Sequence, residues 1–594
     1  MCGIAGIFAY HVDAPPLDRD ELLRIREAMI TRGPDAAGLW ISGNQRVGMT
    51  HRRLSIIDLS EAGLQPMSGE DGKLRIVFNG EIYNYKTLRA ELERKGYCFH
   101  SQSDTEVLLN LYADRGPDLV HALRGMYAFA IWDENKKGLL LARDPFGIKP
   151  LYYADNGNSF RFASQVKALL RSQKIDTQPN PAGQVGFFLW GSVPDPYTLY
   201  KGIHALPAGS TLWVSEVGSR QPAPFFNIAR TLSAGRAACP ASREEGFEYL
   251  RAALLDSVQH HLVADVPVGV FLSAGLDSTT LTALAAESSS MALHTATLGF
   301  NGYRSTENDE TILAVKVADQ YHTTHHTRWV SREDFLNERE RLLKAMDQPT
   351  IDGVNTYFVS KAAAESGLKV AISGIGGDEL FGGYPSFQDI PRMVKLLSPF
   401  NIAPGLGRLF RRVSAPVLKR LTSPKYAGLL EYGGTYGGAY LLRRGFFMPW
   451  ELPEILGDKI TREGWDELKP LMKLEQTTHG VMSERVKVSA LEMNWYMRNQ
   501  LLRDADWAGM AHSLEIRVPF VDVELIRRIA PLLTETFPGK RDMARTPRRP
   551  LPWEILNRRK TGFAVPVREW LTQGNGRQCG ERGLRGWAKQ VMEM

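Results

Sequence analysis

The chain has 594 residues, of which 43% are hydrophobic and 23% are charged, and its formal net charge is +6. This length predicts two or more domains, and the composition excludes a disordered or collagen-like chain. The small net charge, together with the lack of a basic stripe interleaved with aromatic residues, argues against nucleic acid as the main partner.

The cysteines and the start of the chain bear on its compartment. Cys2, Cys98, Cys239 and Cys579 have neither the spacing of a metal site nor the number of a disulfide scaffold. The start lacks a basic region and an apolar run of signal-peptide length. No run approaches the roughly 20 apolar residues of a membrane-spanning helix. We therefore expect a cytoplasmic protein in a reducing compartment, with no membrane partner.

Cys2 is the most informative residue at the start of the chain. Its small side chain favours removal of Met1, after which Cys2 would carry both a thiol and a free α-amino group. A terminal amine can act as the base for a neighbouring nucleophile, so that no histidine is required. The alternative is a small buried cysteine before a strand, which the alternation of residues 3–8 predicts.

The following elements are a helix, a turn and a strand. A capping box at residues 18–21 predicts a helix to about Ile30, and Gly33-Pro34 forms the turn after it. An apolar strand over 74–78 then leads into Asn79-Gly80. This dipeptide is typical of a tight turn. It can also form an oxyanion hole, from the Asn79 side-chain amide and the Gly80 backbone N–H.

Taken together, these segments resemble the glutaminase domain of the class II (N-terminal-nucleophile) glutamine amidotransferases. The motifs occur in the family's order over about 170 residues, which is more specific than any one of them. The resemblance implies an α+β four-layer sandwich of the N-terminal-nucleophile type, which we place at residues 1–210. The matching motifs are Cys2-Gly3-Ile4, Arg32-Gly33-Pro34-Asp35, Arg53-Leu54-Ser55-Ile56, Asn79-Gly80-Glu81-Ile82-Tyr83-Asn84, Ser103-Asp104 and Arg143-Asp144-Pro145-Phe146-Gly147.

The resemblance also implies roles for individual residues. Cys2 would attack the side-chain amide of glutamine while Asn79 and Gly80 hold the oxyanion. An acid at position 104 is also favourable from the helix dipole alone, because Ser103 begins a capping box. The implied glutamine-binding residues are Arg53 for the α-carboxylate, Ile57 beside it, and Glu81 and Asp104 for the α-ammonium group.

The second half begins after a change in composition. Ser, Gly, Pro and Ala accumulate between about Thr211 and Glu244, which we interpret as a linker over 211–243 before a domain over 244–594. A helix over 244–262 precedes an apolar strand over 266–272, a small-residue loop and another helix. Such a loop presents backbone N–H groups and a positive helix end to an anion. No Gly-Lys-Ser/Thr follows, so it is not a Walker A loop.

The loop Ser273-Ala274-Gly275-Leu276-Asp277-Ser278 resembles the PP-loop (Ser-Gly-Gly-x-Asp-Ser) of the ATP pyrophosphatases. Ala274 replaces one glycine, which we expect to be tolerated if φ is negative there. Two further strands, 295–300 and 369–372, end in glycine-containing loops and predict an α/β parallel sheet with a ligand crevice. The implied ATP-binding residues are Leu272, Ser273, Gly275, Asp277, Ser278, Leu298, Ser373 and Gly374. Asp277 and Asp378 would hold Mg²⁺, with helix capping as the alternative.

This pairing of domains resembles the glutamine-hydrolysing asparagine synthetases over nearly the whole chain, with further matches at 501–506, 510–522 and 559–563. The resemblance implies that ATP adenylates the β-carboxyl group of aspartate. Internally delivered ammonia then gives asparagine, AMP and pyrophosphate. It places Lys560 on the acyl-adenylate, although a solvated lysine is usual in a basic run. The C-terminal part of this domain is expected to be helical.

Three positions depart from the family pattern. Ile375 stands where the family has a glutamate tied to the acyl-adenylate, and Gln348 and Gln165 each replace an acid. Isoleucine can neither ionise nor accept a proton. The nearest alternative is therefore an amidotransferase of the same architecture acting on another carboxylate, such as a uronic acid of a surface polysaccharide or a secondary metabolite.

Two further hypotheses explain fewer of these motifs. A ring-closing enzyme similar to β-lactam synthetase needs no glutaminase, whereas the Cys2 set is complete here. The second is a glutamine sensor that has kept the fold and lost synthesis. We expect small-molecule substrates, with a homodimer left open. Residues 391–475 carry helical periodicity but no motif, and a lid and a dimer surface are both open for them.

Overall fold

The computed structural model describes residues 2–234, 242–289, 292–402, 404–421, 423–534, 537–558, 570 and 584–593. Lys560, the 559–563 motif, Cys239 and Cys579 lie outside these residues. The first half of the chain is built on two antiparallel sheets. Their strands are β1 Gly3–Phe8, β2 Ala36–Ile41, β3 Val47–Arg53, β4 Met67–Ser68, β5 Leu74–Ile82, β6 Gly125–Asp133, β7 Gly138–Arg143, β8 Tyr152–Asp155, β9 Phe160–Ala163, β10 His204–Ala205, β11 Ser210–Ser215, β12 Gly218–Ser219 and β13 Ala223–Pro224.

The strand order is β10-β8-β9-β1-β3-β2 in the first sheet and β12-β11-β7-β6-β5-β4 in the second, where β13 also pairs with β11. The predicted first strand is confirmed, and β1 lies between β3 and β9. The stretch predicted as a linker carries β11, which pairs with β7 along its whole length. The helices of this half are α1 Arg19–Glu27, α2 Tyr85–Arg94, α3 Asp104–Arg115, α4 Val166–Leu169, α5 Pro181–Trp190 and α6 Ile228–Ser233.

Alternating side chains divide β1 between two cores. Ile4 and Phe8 pack between the sheets, in one cluster with Val77 of the second sheet. Ala5 and Ile7 face the other way and pack with Leu22 and Ile25 of α1. Helix α3 covers the outer face of the second sheet through Val107 and Leu108. The predicted four-layer order of helix, sheet, sheet and helix is thereby confirmed.

The second half contains one parallel sheet in the order β16-β15-β14-β17-β18. The predicted parallel sheet is confirmed. Because the order reverses at β14, the loops after β14 and β17 border a crevice at the carboxyl ends of the strands. Its strands are β14 Val268–Phe271, β15 His294–Phe300, β16 Thr324–Val330, β17 Val370–Ile372 and β18 Glu515–Arg517.

Helices surround this sheet. They also make up most of the C-terminal part of the second half, as predicted. They are α7 Arg243–His261, α8 Leu276–Ser288, α9 Thr311–Tyr321, α10 Arg332–Ala345, α11 Val354–Glu365, α12 Gly377–Phe381, α13 Ser386–Leu397, α14 Pro404–Leu421, α15 Leu429–Tyr432, α16 Tyr436–Arg444, α17 Leu452–Leu456, α18 Asp458–Leu468, α19 Pro470–Thr478, α20 Glu484–Leu491, α21 Arg503–Met510, α22 Val523–Ile529, α23 Lys540–Ala544, α24 Trp553–Asn557 and α25 Leu584–Met592, with a π-helical segment at Glu492–Leu502. Within the described ranges, no helix is long and apolar enough to cross a lipid bilayer.

Short 3₁₀ segments connect many of these elements: Ile30–Arg32, Glu61–Gly63, Gly116–His121, Asn301–Tyr303, Ser398–Ile402, Pro424–Gly428, Pro519–Val521 and Ala530–Leu532. The two halves share one apolar cluster. It runs from Phe78 and Leu108 of the first half to Val270 and Ile516 of the second. Because this core crosses from one half to the other, the two antiparallel sheets and the parallel sheet are packed into one body.

Candidate active sites

Cys2 lies directly before β1, at the centre of the first sheet. Its backbone N–H donates to the Asn79 side-chain oxygen at 3.0 Å, and its Sγ atom lies 3.9 Å from the Leu54 carbonyl oxygen. Burial raises the pKa of the Cys2 thiol, because the thiolate would lose its hydration. The thiol at rest is therefore protonated and needs a base to become a nucleophile.

Asn79 and Gly80 lie inside β5, not in the tight turn that the dipeptide suggests. Asn79 is fully buried, and its Nδ2 atom has no hydrogen-bond partner among the described residues. A Cβ atom at Gly80 would lie 2.1 Å from the Met126 carbonyl oxygen, so only glycine fits there. The oxygen of the Asn79 amide thus accepts from the Cys2 N–H, and its Nδ2 group is a buried donor close to Cys2. An oxyanion site requires such a donor.

Arg53 ends β3, one residue before Leu54. Its guanidinium donates to the carbonyl oxygens of Ser60, at 2.7 Å, and Asp58. These bonds fix the guanidinium group of Arg53 against a loop that contains Ile57. Both Arg53 and Ile57 are buried. The structure therefore places Arg53 close to Cys2 along the chain and holds its side chain in one position.

Glu81 and Asp104 are brought together at the end of β5. Glu81 is two residues from Asn79, on the same side of the strand. Asp104 begins α3, and its carboxylate accepts a hydrogen bond from the Ile82 N–H at 3.0 Å. Burial, and next the charge of Glu515, raise the pKa of Glu81 well above its usual range, and burial raises the pKa of Asp104 to about 7.

Two residues of β18 complete this acidic cluster. Arg517 is fully buried and its guanidinium lies 3.3 Å from the Glu81 carboxylate. It donates through Nε to Glu515 at 2.7 Å. Both residues lie in the segment matched at 510–522, but no role was predicted for them. The signal that could have found them is an arginine inside a strand of the second half. An arginine that is buried in a strand needs an acidic partner.

Arg32 makes a second connection between the halves. It donates through Nε to the Cys2 carbonyl oxygen at 3.1 Å. Its two remaining nitrogens bind the Asp506 carboxylate at 2.7 and 2.9 Å, and both side chains are buried. The residue that holds the backbone of Cys2 is thus itself held by α21 of the second half.

A cavity of about 270 Å³ opens at the carboxyl ends of β14, β15 and β17. Seven of the eight residues predicted to bind ATP line it: Leu272, Ser273, Asp277, Ser278, Leu298, Ser373 and Gly374. The eighth, Gly275, does not line it, and its carbonyl oxygen accepts a bond from the Ser278 hydroxyl at 3.2 Å. The loop after β14 therefore closes on itself around the start of α8.

The expectation for Ala274 needs a correction. Its φ angle is +50°, in the left-handed region, whereas tolerance of alanine was predicted for a negative φ. A Cβ atom in that conformation costs roughly 1–2 kcal/mol. The loop therefore keeps the backbone shape of a glycine-containing turn despite the alanine.

Asp277 and Asp378 converge on one cation. Lys540 of α23 contacts the carboxylate of Asp277 and lies 2.8 Å from that of Asp378. Lys540 was not predicted, since a lone lysine carries no motif. Two carboxylates close enough to share one ammonium group fit Mg²⁺, which takes one or two carboxylates together with phosphate oxygens. No group of three or more metal-ligating side chains occurs in the described residues.

Ile375 lines the same cavity, together with two acids that were not predicted. Asp352 and Asp504 are linked through Thr350, whose hydroxyl accepts from the Asp352 N–H at 3.2 Å and donates to Asp504 at 3.1 Å. Burial raises the pKa of both carboxyls, and Asp352 raises that of Asp504 further. The cavity thus contains carboxyl groups although position 375 is apolar.

The other two departures lie away from the cavity. Gln165 precedes α4, where the N–H groups of Val166 and Lys167 donate to Asp347, each at 3.0 Å. Gln348 follows Asp347 and donates to the Tyr152 hydroxyl at 3.4 Å. Both glutamines therefore belong to a contact between the halves, and neither lines the cavity after β14.

Comparison with known proteins agrees with a two-site enzyme. Residues 1–225 match the family described as the glutamine amidotransferase domain, and residues 249–593 match the asparagine synthase family. Glutamine-hydrolysing asparagine synthetase 1 of Bacillus subtilis is 34% identical over 583 residues, which cover 96% of this chain and 88% of that protein. Asparagine synthetase B of Escherichia coli is 32% identical over 417 residues, covering 67% of each.

The chain joins a glutamine amidotransferase domain to an asparagine synthase domain, which contains the parallel sheet. This pairing of domains defines the class of the protein. The putative glutamine-hydrolysing asparagine synthetase of Mycobacterium bovis extends the similarity, with 33% identity over 97% of this chain and 89% of that protein. The chain belongs to the family of glutamine-hydrolysing asparagine synthetases.

Proposed function

We propose that this enzyme converts glutamine, aspartate and ATP into asparagine, glutamate, AMP and pyrophosphate. The observation that carries the proposal is the pairing, in one body, of the Cys2–Asn79 arrangement with a cavity lined by the PP-loop residues. The names of the relatives support aspartate as the acceptor. They do not favour another carboxylate as the acceptor.

The first reaction takes place at Cys2. The Sγ atom attacks the side-chain carbonyl carbon of glutamine, and the amide nitrogen leaves as ammonia with the proton of the thiol. The α-amino group of Cys2, once Met1 is removed, serves as the base that the buried thiol requires. The Asn79 amide and the Gly80 N–H hold the oxyanion. Water then hydrolyses the thioester and glutamate is released.

Glutamine is held at its two charged groups. Arg53 pairs with the α-carboxylate, because a fixed guanidinium fork suits two carboxylate oxygens. Glu81 and Asp104 receive the α-ammonium group, and Ile57 closes the pocket beside Arg53. The raised pKa values of the two acids fit this role, since a bound cation restores the charge that burial disfavours.

The second reaction takes place in the cavity after β14. The enzyme uses ATP, as its family implies, and the substrate carboxylate attacks the α-phosphorus so that pyrophosphate leaves. Asp277 and Asp378 would hold Mg²⁺, which when bound neutralises phosphate charge. Lys540 contacts both carboxylates in this structure. Lys560, outside the described residues, is proposed to stabilise the acyl-adenylate.

Ammonia attack on the adenylate needs an acceptor for a proton, and Ile375 cannot supply one. We assign this task to Asp504, with Asp352 beside it, because both line the cavity with Ile375. Burial raises the pKa of Asp504, and a raised pKa makes the ionised carboxylate a stronger base. Ammonia reaches the cavity inside the protein, which protects the adenylate from water.

The proposal extends to organisation and surroundings. The glutaminase part is placed at residues 1–210 and the synthetase part at 244–594. The two family matches, over 1–225 and 249–593, support a division of the chain between residues 225 and 249. The protein is proposed to act in the cytoplasm on small molecules, without nucleic acid.

The test is pyrophosphate release from Mg-ATP and glutamine, with and without L-aspartate. Aspartate-dependent pyrophosphate in equal amount to asparagine is expected. Glutamate formation without aspartate-dependent pyrophosphate would contradict aspartate as the acceptor while leaving the glutaminase in place. A panel of other carboxylates would then identify the acceptor.

A further inference from the structure

Helix α14 presents a row of apolar side chains to solvent. They recur at the spacing of one helix face, and their exposed fractions range from 40% for Phe410 to 70% for Val413. The other members of this row are Leu406, Leu409 and Val417. Exposed apolar residues continue before the helix, at Leu396 and Phe400. Contiguous exposed apolar surface of this kind marks an interaction site.

A different side of α14 holds it to the protein. A Cβ atom at Gly407 would lie 2.8 Å from the Glu431 Cα atom, so the helix backbone is pressed against α15. Arg411 donates to the Glu431 carboxylate at 2.5 Å and lies over the Trp450 ring. The apolar row is therefore not turned toward the core.

The charged residues of this helix and of its flanking segment are all basic. Residues 391–426, which we name the basic segment, contain eight Lys or Arg and no Asp or Glu, whereas the whole chain has a net charge of only +6. Arg408 and Arg412 are exposed on α14. An amphipathic helix with Lys and Arg on its polar side and Leu, Val and Phe on the other is the pattern of helices that lie in a membrane interface.

We propose that the basic segment is a docking surface for an anionic lipid bilayer, with the apolar row of α14 inserted among the acyl chains and the basic residues at the headgroups. Two copies of the segment facing each other would bring like charges together, which disfavours a symmetric dimer here. A nucleic acid would use the charge and leave the Leu and Val side chains in water. An anionic lipid surface satisfies both features.

This inference goes beyond the proposed function and does not depend on it, because no residue assigned to either reaction lies in the basic segment. It changes one expectation from the sequence, where no membrane partner was predicted because no run is long enough to span a bilayer. A helix that lies in the interface needs no such run. The enzyme would then act next to a membrane without crossing it.

The test is co-sedimentation of the full chain with vesicles of phosphatidylcholine alone, or of phosphatidylcholine with phosphatidylglycerol. Binding is expected only with phosphatidylglycerol. The double variant Arg408→Gln/Arg412→Gln should weaken it roughly thirtyfold, because each surface Lys or Arg contributes about a factor of five. The matched control is Lys459→Gln/Arg462→Gln, which alters two exposed basic residues of α18 and should bind as before.

A second pair of variants tests the apolar row. Leu409→Glu/Val413→Glu should abolish vesicle binding, whereas Val217→Glu, at an apolar residue that is 94% exposed in the other half, should not. Glutamate formation from glutamine should be unchanged in all four variants, which shows that they are folded.

Three outcomes would overturn the proposal. The first is a lack of binding to phosphatidylglycerol vesicles, or equal binding to neutral ones. The second is a dimer that Leu409→Glu/Val413→Glu dissociates in the absence of lipid, which would assign the row to a second copy. The third is retention on an anionic polymer that depends on Arg408 and Arg412 alone, without vesicle binding.

Discussion

The Arg517 guanidinium lies 3.3 Å from the Glu81 carboxylate, although the two residues are on sheets in different halves of the chain. The backbone of Arg517 has a second contact, because its carbonyl oxygen accepts the N–H of Ser373, in the loop proposed to bind ATP, at 2.8 Å. One residue therefore contacts the proposed binding site for the glutamine ammonium group with its side chain and the proposed ATP-binding loop with its main chain.

Replacement of Arg517 tests this connection. Arg517→Gln leaves Glu81 and Glu515 buried without their cation, which should lower the free energy of unfolding by about 3–5 kcal/mol and raise KM for glutamine. Denaturant unfolding and glutamate formation measure the two effects. The control is Arg527→Gln, at a half-exposed arginine of α22. A stability loss no larger than that of the control would contradict the buried ion pair.

Replacement of the nucleophile should separate the two reactions. Cys2→Ala is expected to abolish glutamate formation and glutamine-dependent asparagine synthesis, while synthesis from added ammonium salts continues, because the second site is intact. Cys98→Ala, at an exposed free cysteine, serves as the control and should change neither. Loss of the ammonia-dependent reaction in Cys2→Ala would show that the sites are not separable in this way.

The two buried acids predict a pH dependence of glutamine use. Burial raises the pKa of Asp104 to about 7, so the acid is largely protonated below that pH in the free enzyme. Only the carboxylate attracts the ammonium group of glutamine. Hence kcat/KM for glutamine should rise as the pH passes through about 7. In Asp104→Asn the value should be lower and this rise should be reduced, and an unchanged profile would exclude Asp104 as its source.

Metal removal should affect one reaction only. A chelator is expected to stop pyrophosphate release, and added Mg²⁺ to restore it, while glutamate formation continues. Asp378→Asn should raise the Mg²⁺ concentration needed for half-maximal pyrophosphate release by roughly tenfold, since one of two carboxylates is lost. Asp389→Asn on α13, the matched control, should not. A normal Mg²⁺ requirement in Asp378→Asn would remove this residue from the metal site.

The two acids that line the cavity with Ile375 give the fifth prediction. Asp504→Asn should leave glutamate formation unchanged and lower asparagine formation by about 10²–10⁴-fold, the usual contribution of a general base. The double variant Asp504→Asn/Ile375→Glu should recover part of the loss, because it returns a carboxylate to the same cavity. Full asparagine synthesis in Asp504→Asn would exclude this residue as the proton acceptor.

Much of the fold could be predicted from patterns that are local in the chain. The strand over residues 3–8 and the order of strand, loop and helix around Asp277 depend on alternation and on small residues, which neighbours along the chain determine. The position of Asn79 in a strand could not be predicted, because the Asn-Gly dipeptide is equally suited to a turn. Its pairing with Ala128 of β6 decides the matter, and that contact is distant in sequence.

The candidate site was predictable where motifs occur and not elsewhere. The loop residues around the cavity follow from one hexamer and two strand ends, whereas Lys540 and Asp352 lie in a helix and a loop without any motif. Asp504 lies in the matched segment 501–506, but no role was predicted for it. The left-handed backbone of Ala274 is likewise a property of the folded loop, since the sequence alone favours a negative φ for alanine.

The buried bond between Arg32 and Asp506 limits how this enzyme can be recombined with its relatives. A glutaminase half grafted onto a different synthetase half would bring a buried guanidinium to the junction, and an uncompensated charge of this kind costs about 3–5 kcal/mol. The graft would also loosen the carbonyl group of Cys2, which the same arginine holds. Chimaeras should therefore work only when the acceptor half retains an acid at position 506, so that the two halves evolve as matched partners.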